Sequence, residues 1–157
     1  MTDFYRFFLL ILLCLSAFTA TGCHQVIAVL PFPPDASSEM DSDTLIAILT
    51  SETGNVELAG EVSQPFFPMN GQLIQVFGEP VQVFEFPDAD AAEQAAELVS
   101  ADGFTIGTMQ VDWVSNPHFY YRDRLIVLYL GDNYDLAQVL ERILGPQFAG
   151  SIAFPDI

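Results

Sequence analysis

Between Asn116 and Ala149 the apolar and polar positions fall into their clearest order. An aromatic segment opens at Pro117, turns at Arg122-Asp123-Arg124 and runs into Leu125–Leu130. That run is apolar on both faces and rich in β-branched and aromatic residues, which predicts a strand in a sheet interior. Asp132 or Asn133 then offers an N-cap, and Leu136, Val139, Leu140, Ile143 and Leu144 follow. Their spacing makes one apolar stripe on a helix, and Gly145-Pro146 stops it. A hairpin therefore feeds a helix that folds back onto the sheet. The block is a packing signature and carries no chemistry.

Upstream the pattern is similar but weaker. Asp43 is placed to cap a helix over residues 44–53, with Leu45, Ile46, Ile48 and Leu49 apolar and Gly54 as its stop. A strand is expected over residues 55–62, then a connection, Pro65 to Gly71, whose Phe66 and Phe67 plug the core. Residues 72–77 and 80–86 predict a hairpin around Gly78-Glu79. A second helix, residues 88–99, has acids at its start, and Asp90 and Glu93 are spaced for a capping box. A loop over residues 101–108 leads to a strand near residues 109–114, where Trp113 reads as core. Shifting the first hairpin–helix unit by 44 residues lays Val83-Phe84 on Val127-Leu128 and Asp88 on Asp132, which suggests a repeated unit. Hairpins with short loops imply an antiparallel sheet. The fold class expected is α+β: a two-layer sandwich of about five antiparallel strands with three helices mainly on one face.

The first residues have a different character. Phe7–Phe18 is apolar apart from Ser16, short of the ~20 residues of a spanning helix and suited to a signal-peptide core. Arg6 precedes it, and Ala20-Thr21-Gly22-Cys23 follows. These small residues before a cysteine resemble the lipobox of bacterial lipoproteins, although Ala20 stands where leucine is usual. The resemblance implies cleavage before Cys23 and a diacylglyceryl group on its sulfur, with an N-acyl chain such as palmitate. Two or more chains suffice for stable attachment. The competing reading is an uncleaved anchor helix. The organisation expected is a signal peptide over residues 1–22, a lipid-anchored tether over 23–43, an α+β domain over 44–150 and a tail over 151–157. Pro31, Pro33 and Pro34 suit an extended tether, although Val26–Leu30 has the composition of an edge strand.

Charge narrows the partners. The 157 residues carry 21 acids against four arginines and no lysine, a net charge of −17. Loss of the signal removes Asp3 and Arg6 together and leaves that balance unchanged. Affinity for nucleic acid rests on Lys and Arg, so no nucleic-acid partner is expected. An anionic bilayer repels this chain, so the membrane is a partner only through the N-terminal lipid. Solubility or a salty habitat accounts for the acidity without a cation site.

Little chemistry is on offer. The only cysteines are Cys14 and Cys23, which removes disulfides and thiol catalysis from the globular part. His24 and His118 are the only histidines, so no multi-histidine metal site can form, and no catalytic or cofactor motif is present. No cofactor is expected. The pairs Asp88/Asp90 and Asp132/Asp135 sit where helix caps want carboxylates, and with Asp41/Asp43 none has EF-hand spacing. His118, Tyr120, Arg122 and Arg124 share one strand face and its turn, a candidate patch for an anionic ligand or a partner. An ordinary charged hairpin tip over an aromatic core is the favoured account of them.

Several strings resemble uncharacterised bacterial lipoproteins and secreted proteins: Gly60-Glu61-Val62, Gln64-Pro65-Phe66-Phe67, the Val81–Glu85 strand, Pro117–Tyr120, Arg124–Tyr129 and Leu144–Gly150. The resemblance spans most of residues 45–150 and implies an envelope location without an activity. The function expected is a lipid-anchored extracytoplasmic protein of the cell membrane or outer membrane, a non-enzymatic binding or structural module for an envelope protein or small ligand. The alternative is an envelope hydrolase using His118 with an acidic neighbour.

Overall fold

The Leu125–Leu130 run sits where its composition demands, at the middle of a six-stranded antiparallel sheet. The computed structural model describes residues 39–151. The signal peptide, Cys23, the tether's Pro-rich part, the Val26–Leu30 segment and the end of the tail lie outside them. The elements in order are α1 (Ser42–Thr53), β1 (Val56–Ser63), β2 (Asn70–Val76), β3 (Glu79–Glu85), α2 (Ala89–Ala96), β4 (Thr105–Ile106) and β5 (Met109–Gln110). β6 (Pro117–Arg122), β7 (Leu125–Leu130), α3 (Tyr134–Leu144) and β8 (Ala149–Gly150) complete the chain. The sheet order is β1-β2-β3-β7-β6-β8, and β4 and β5 form a separate ribbon.

Two hairpins, β2–β3 and β6–β7, meet through β3 and β7, with Val83 opposite Val127 and Phe84 opposite Ile126. Alternate residues of this central pair point to opposite faces, and both faces are buried. One face carries Val81, Val83, Leu125, Val127 and Tyr129, covered by Leu45 and Leu49 of α1 and by Leu136, Leu140 and Ile143 of α3. The other carries Phe84, Ile126 and Leu128, covered by Ala92 of α2 and by an aromatic plug. Phe67 in that plug lies 4.8 Å from the Phe84 ring and 5.5 Å from the Phe86 ring. The class is thus α+β, with two of the three helices among the described residues on one face. The second face is closed by one short helix and a loop.

The 44-residue relation holds through the strands and ends at the helices. Val83 and Val127 face the same side, as do Phe84 and Leu128. Ala92 and Leu136, which the same shift relates, are buried on opposite faces. The exits differ: Phe86 and Pro87 lead to the cap Asp88, whereas Gly131 and Asp132 lead to Asn133.

Several boundaries move for local reasons. Asp41, not Asp43, caps α1 by accepting the Thr44 N–H at 2.8 Å. Met40 is buried in the core and donates its N–H to Asp123 at 2.7 Å, so the fold begins inside the stretch assigned to the tether. Asp88 caps α2 alone, and the helix ends at Ala96 because Val99 pairs with Ile106. The strand expected over residues 109–114 shrinks to β5 and leaves the main sheet. Its place is taken by β8, whose two residues pair with His118 and Phe119. Gly150 there has φ 118°, and a Cβ would stand 2.0 Å from the Pro117 carbonyl oxygen.

Leu140→Ala is expected to cost about 2–5 kcal/mol in denaturant unfolding, because its site is fully buried among large neighbours. Leu98→Ala, at an exposed position, is expected to stay within about 0.5 kcal/mol. Gly150→Ala is expected to release β8, read as loss of amide protection at Phe148 and Ser151, which bond to β6 backbone.

Candidate functional site

The sheet is covered unevenly, and the least covered part is the β1 end. There a groove of about 500 Å³ opens over β1, β2 and β3. Leu58, Glu61, Gln72 and Val83 line it from the sheet, and Ser42 and Glu85 close one end. A bulge between Leu58 and Gly60 makes this lining: Leu58 pairs with Ile74 and Glu61 with Gln72, so both project to the same face. Gly60 supports the bulge with φ 117°. Asn70 donates to Glu61 across the strands at 3.4 Å.

The closed end is a polar latch. One Glu85 oxygen accepts from the Ser42 backbone N–H at 3.1 Å and from the Ser42 hydroxyl. The other pairs with the Arg124 guanidinium. Glu85 ends β3, Arg124 belongs to the β6–β7 turn and Ser42 begins α1, so one carboxylate joins three elements. Both charged side chains remain about 30% exposed, which screens the pair. Next to it, hydrogen bonds from the Thr44 side chain and then its backbone N–H hold the Asp41 carboxyl below the usual range. The Ser42 hydroxyl donates to a carboxylate that a guanidinium already holds, so this is an anchoring contact and not an activated nucleophile.

The residues singled out by sequence do not make one exposed patch. His118, Tyr120 and Arg122 do share a face of β6, but His118 and Tyr120 are buried. Burial raises the Tyr120 hydroxyl above its ordinary range. Arg122 donates to the Ile143 carbonyl at the end of α3, and Arg124 is in the latch. The His118 ring stacks on Tyr129 with centroids 5.6 Å apart. Its Nε2 lies 2.9 Å from the Gly131 carbonyl and its Nδ1 2.8 Å from the Gln147 side chain, and Gln147 also donates to Ser151 at 3.1 Å. His118 thus ties β6 to the segment carrying β8. The acidic pairs behave as helix and loop fittings: Asp41 and Asp88 are caps, and Asp132 accepts from Asn116 at 2.6 Å. Among the described residues no three His, Cys, Asp or Glu side chains gather as a metal site.

The groove and its latch carried no signal in sequence. Ser42, Glu85 and Arg124 are far apart in the chain and belong to no motif. Leu58 was hidden within a strand of imperfect alternation. No family model, curated protein or solved structure matches this chain.

The latch is expected to respond unequally to its two halves. Arg124→Met leaves Glu85 with both Ser42 donors and should cost under about 1 kcal/mol. Glu85→Ala strands a half-buried guanidinium whose Nε has no partner among the described residues, and should cost about 1–2 kcal/mol. Denaturant unfolding of the two variants and the double mutant measures the difference. Asp41 adds a pH dependence: its lowered carboxyl stabilises the fold fully above the ordinary carboxylate range. That contribution is expected to fall away as pH drops through its depressed value, and Asp41→Asn should flatten this limb.

Proposed function

We propose that the chain is a lipid-anchored extracytoplasmic protein of the cell envelope, in the cell membrane or outer membrane, whose folded part is a non-enzymatic binding or structural module. The observation that carries the reading is the apolar Phe7–Phe18 run followed by Ala20-Thr21-Gly22-Cys23. Lipid on Cys23, with palmitate or a similar acyl chain on its amine, would hold an acidic body at a surface that otherwise repels it. Its folded residues fit a module that is tethered and does not insert. No helix among the described residues is long and apolar enough to cross a membrane.

The interior of the fold supports the non-enzymatic half. His118 has both ring nitrogens occupied by Gln147 and the Gly131 carbonyl, with no carboxylate on either. A hydrolytic base needs a nitrogen free to reach a nucleophile. The hydrolase alternative therefore draws no support from its geometry. The groove beside β1 supports the binding half of the reading.

The deciding experiment is the intact mass of the chain purified from its native host's membrane fraction, beside a Cys23→Ala variant. The expected mass is that of residues 23–157 plus acyl groups, with both cleavage and lipid lost in the variant. An unprocessed chain, or a cleaved chain without lipid, overturns the reading. His118→Asn is expected to lower stability by about 1–3 kcal/mol, since it breaks one buried and one partly buried hydrogen bond. Hydrolytic activity that disappears in that variant while the fold survives would overturn the non-enzymatic assignment.

A further inference from the structure

The two edges of the main sheet are finished differently. At one, β6 is partly covered by β8, and Phe148 and Ser151 add backbone bonds to Phe119 and Pro117. At the other, β1 is the longest strand of the fold, and nothing among the described residues pairs with its outer side. Natural edges are usually kept short or blocked by lysine or proline. β1 spans eight residues, Val56–Ser63, with no lysine or proline; its guards are a bulge and two glutamates, and all but Val56 and Val62 are exposed. Its bulge bends it, and among the described residues no strand pairs on its outer side. Leu58 stands 65% exposed on the groove side, a large apolar side chain with water around it.

Charge decides what can add to this edge. Glu57 and Glu61 lie on β1, Glu61 faces the groove, and the whole chain carries −17. A second copy pairing β1 with β1 would bring like charges together in a row. An extended segment with Lys or Arg between apolar residues would meet the opposite charge along the same strand. We infer that β1 is a β-strand addition site for a basic, extended segment of a partner polypeptide. The backbone of β1 supplies the hydrogen bonds, Leu58 receives an apolar side chain on the groove face, and Glu57, which pairs with Gln75 and points to the other face, receives the cation. This deepens the binding-module reading above and rests on it.

The test uses the full chain in non-ionic detergent and a labelled eight-residue peptide alternating lysine with valine and threonine, followed by fluorescence anisotropy. Three comparisons separate strand addition from charge attraction: an isomer of the peptide broken by two prolines at the same charge, a copy N-methylated along one edge, and two variants of the protein. Leu58→Lys places a blocking lysine on the edge, whereas Leu98→Lys adds the same charge at an exposed position elsewhere. The expected result is at least tenfold weaker binding for the broken peptide, the N-methylated peptide and Leu58→Lys, with Leu98→Lys within about threefold of the unaltered chain. Equal binding of the proline-broken peptide, or equal effects of the two lysine variants, would overturn the inference. So would a dimer that forms without peptide and is lost in Leu58→Lys, since that would make β1 a self-pairing edge. Failure of the lipid anchor shows in the native mass and not in this titration, so the two readings fail separately.

Discussion

The contact between β3 and β7 is the constraint on which the other elements depend. Each hairpin contains one of these strands, and their pairing from Val81–Tyr129 to Glu85–Leu125 is what makes a single sheet of two hairpins. Both strands are buried on both faces, so neither hairpin is satisfied alone. A two-stranded hairpin is marginal in water, and three or more strands with a covered face are needed. Once β3 and β7 pair, the apolar residues of their two faces call for cover. α1 and α3 supply it on one side, and α2 with the Phe66–Phe67 plug supplies it on the other. The polar latch follows from the same pairing, since it brings the end of β3 beside the start of β7. Glu85 and Arg124 become neighbours there, and the start of α1 is fixed to them through Ser42.

What was legible in the sequence is what short-range pattern encodes. The β7–α3 block was readable because six apolar residues in a row and a 3.6-residue stripe leave few alternatives. α1 and the hairpin turn near Gly78 were readable for similar reasons. Apart from the Asp41 cap of α1, which is local, the misplaced boundaries involve partners further along the chain. β8 is two residues long and exists because Gly150 fits against Pro117, which no local pattern announces. Residues 111–114 have strand-like composition, yet they serve a loop in which Trp113 donates to the Gly103 carbonyl at 2.8 Å. The divergence of α2 and α3 to opposite faces depends on a few residues after each strand. A shift that matches strand residues does not detect it.

The candidate site was less legible still. His118 drew attention as a rare titratable residue, and its role is to join β6 to the β8 segment through Gln147. The arginines that looked like a recognition spot are spent on Ile143 and Glu85. The β1 edge remains open among the described residues, and there an exposed leucine and two glutamates lie on one long strand. On the function proposed above, the open β1 edge of this acidic body is where an extended partner would add.

Native-state amide exchange tests most directly whether the fold is organised around β3 and β7. The amides of Val81–Phe84 and Ile126–Tyr129 should exchange only with global unfolding, while β1 and the β4–β5 ribbon open earlier and at lower cost. If β7 loses protection before β1 or α2, the central pair is not the foundation of the fold, and the account of one closed core with one open edge is wrong.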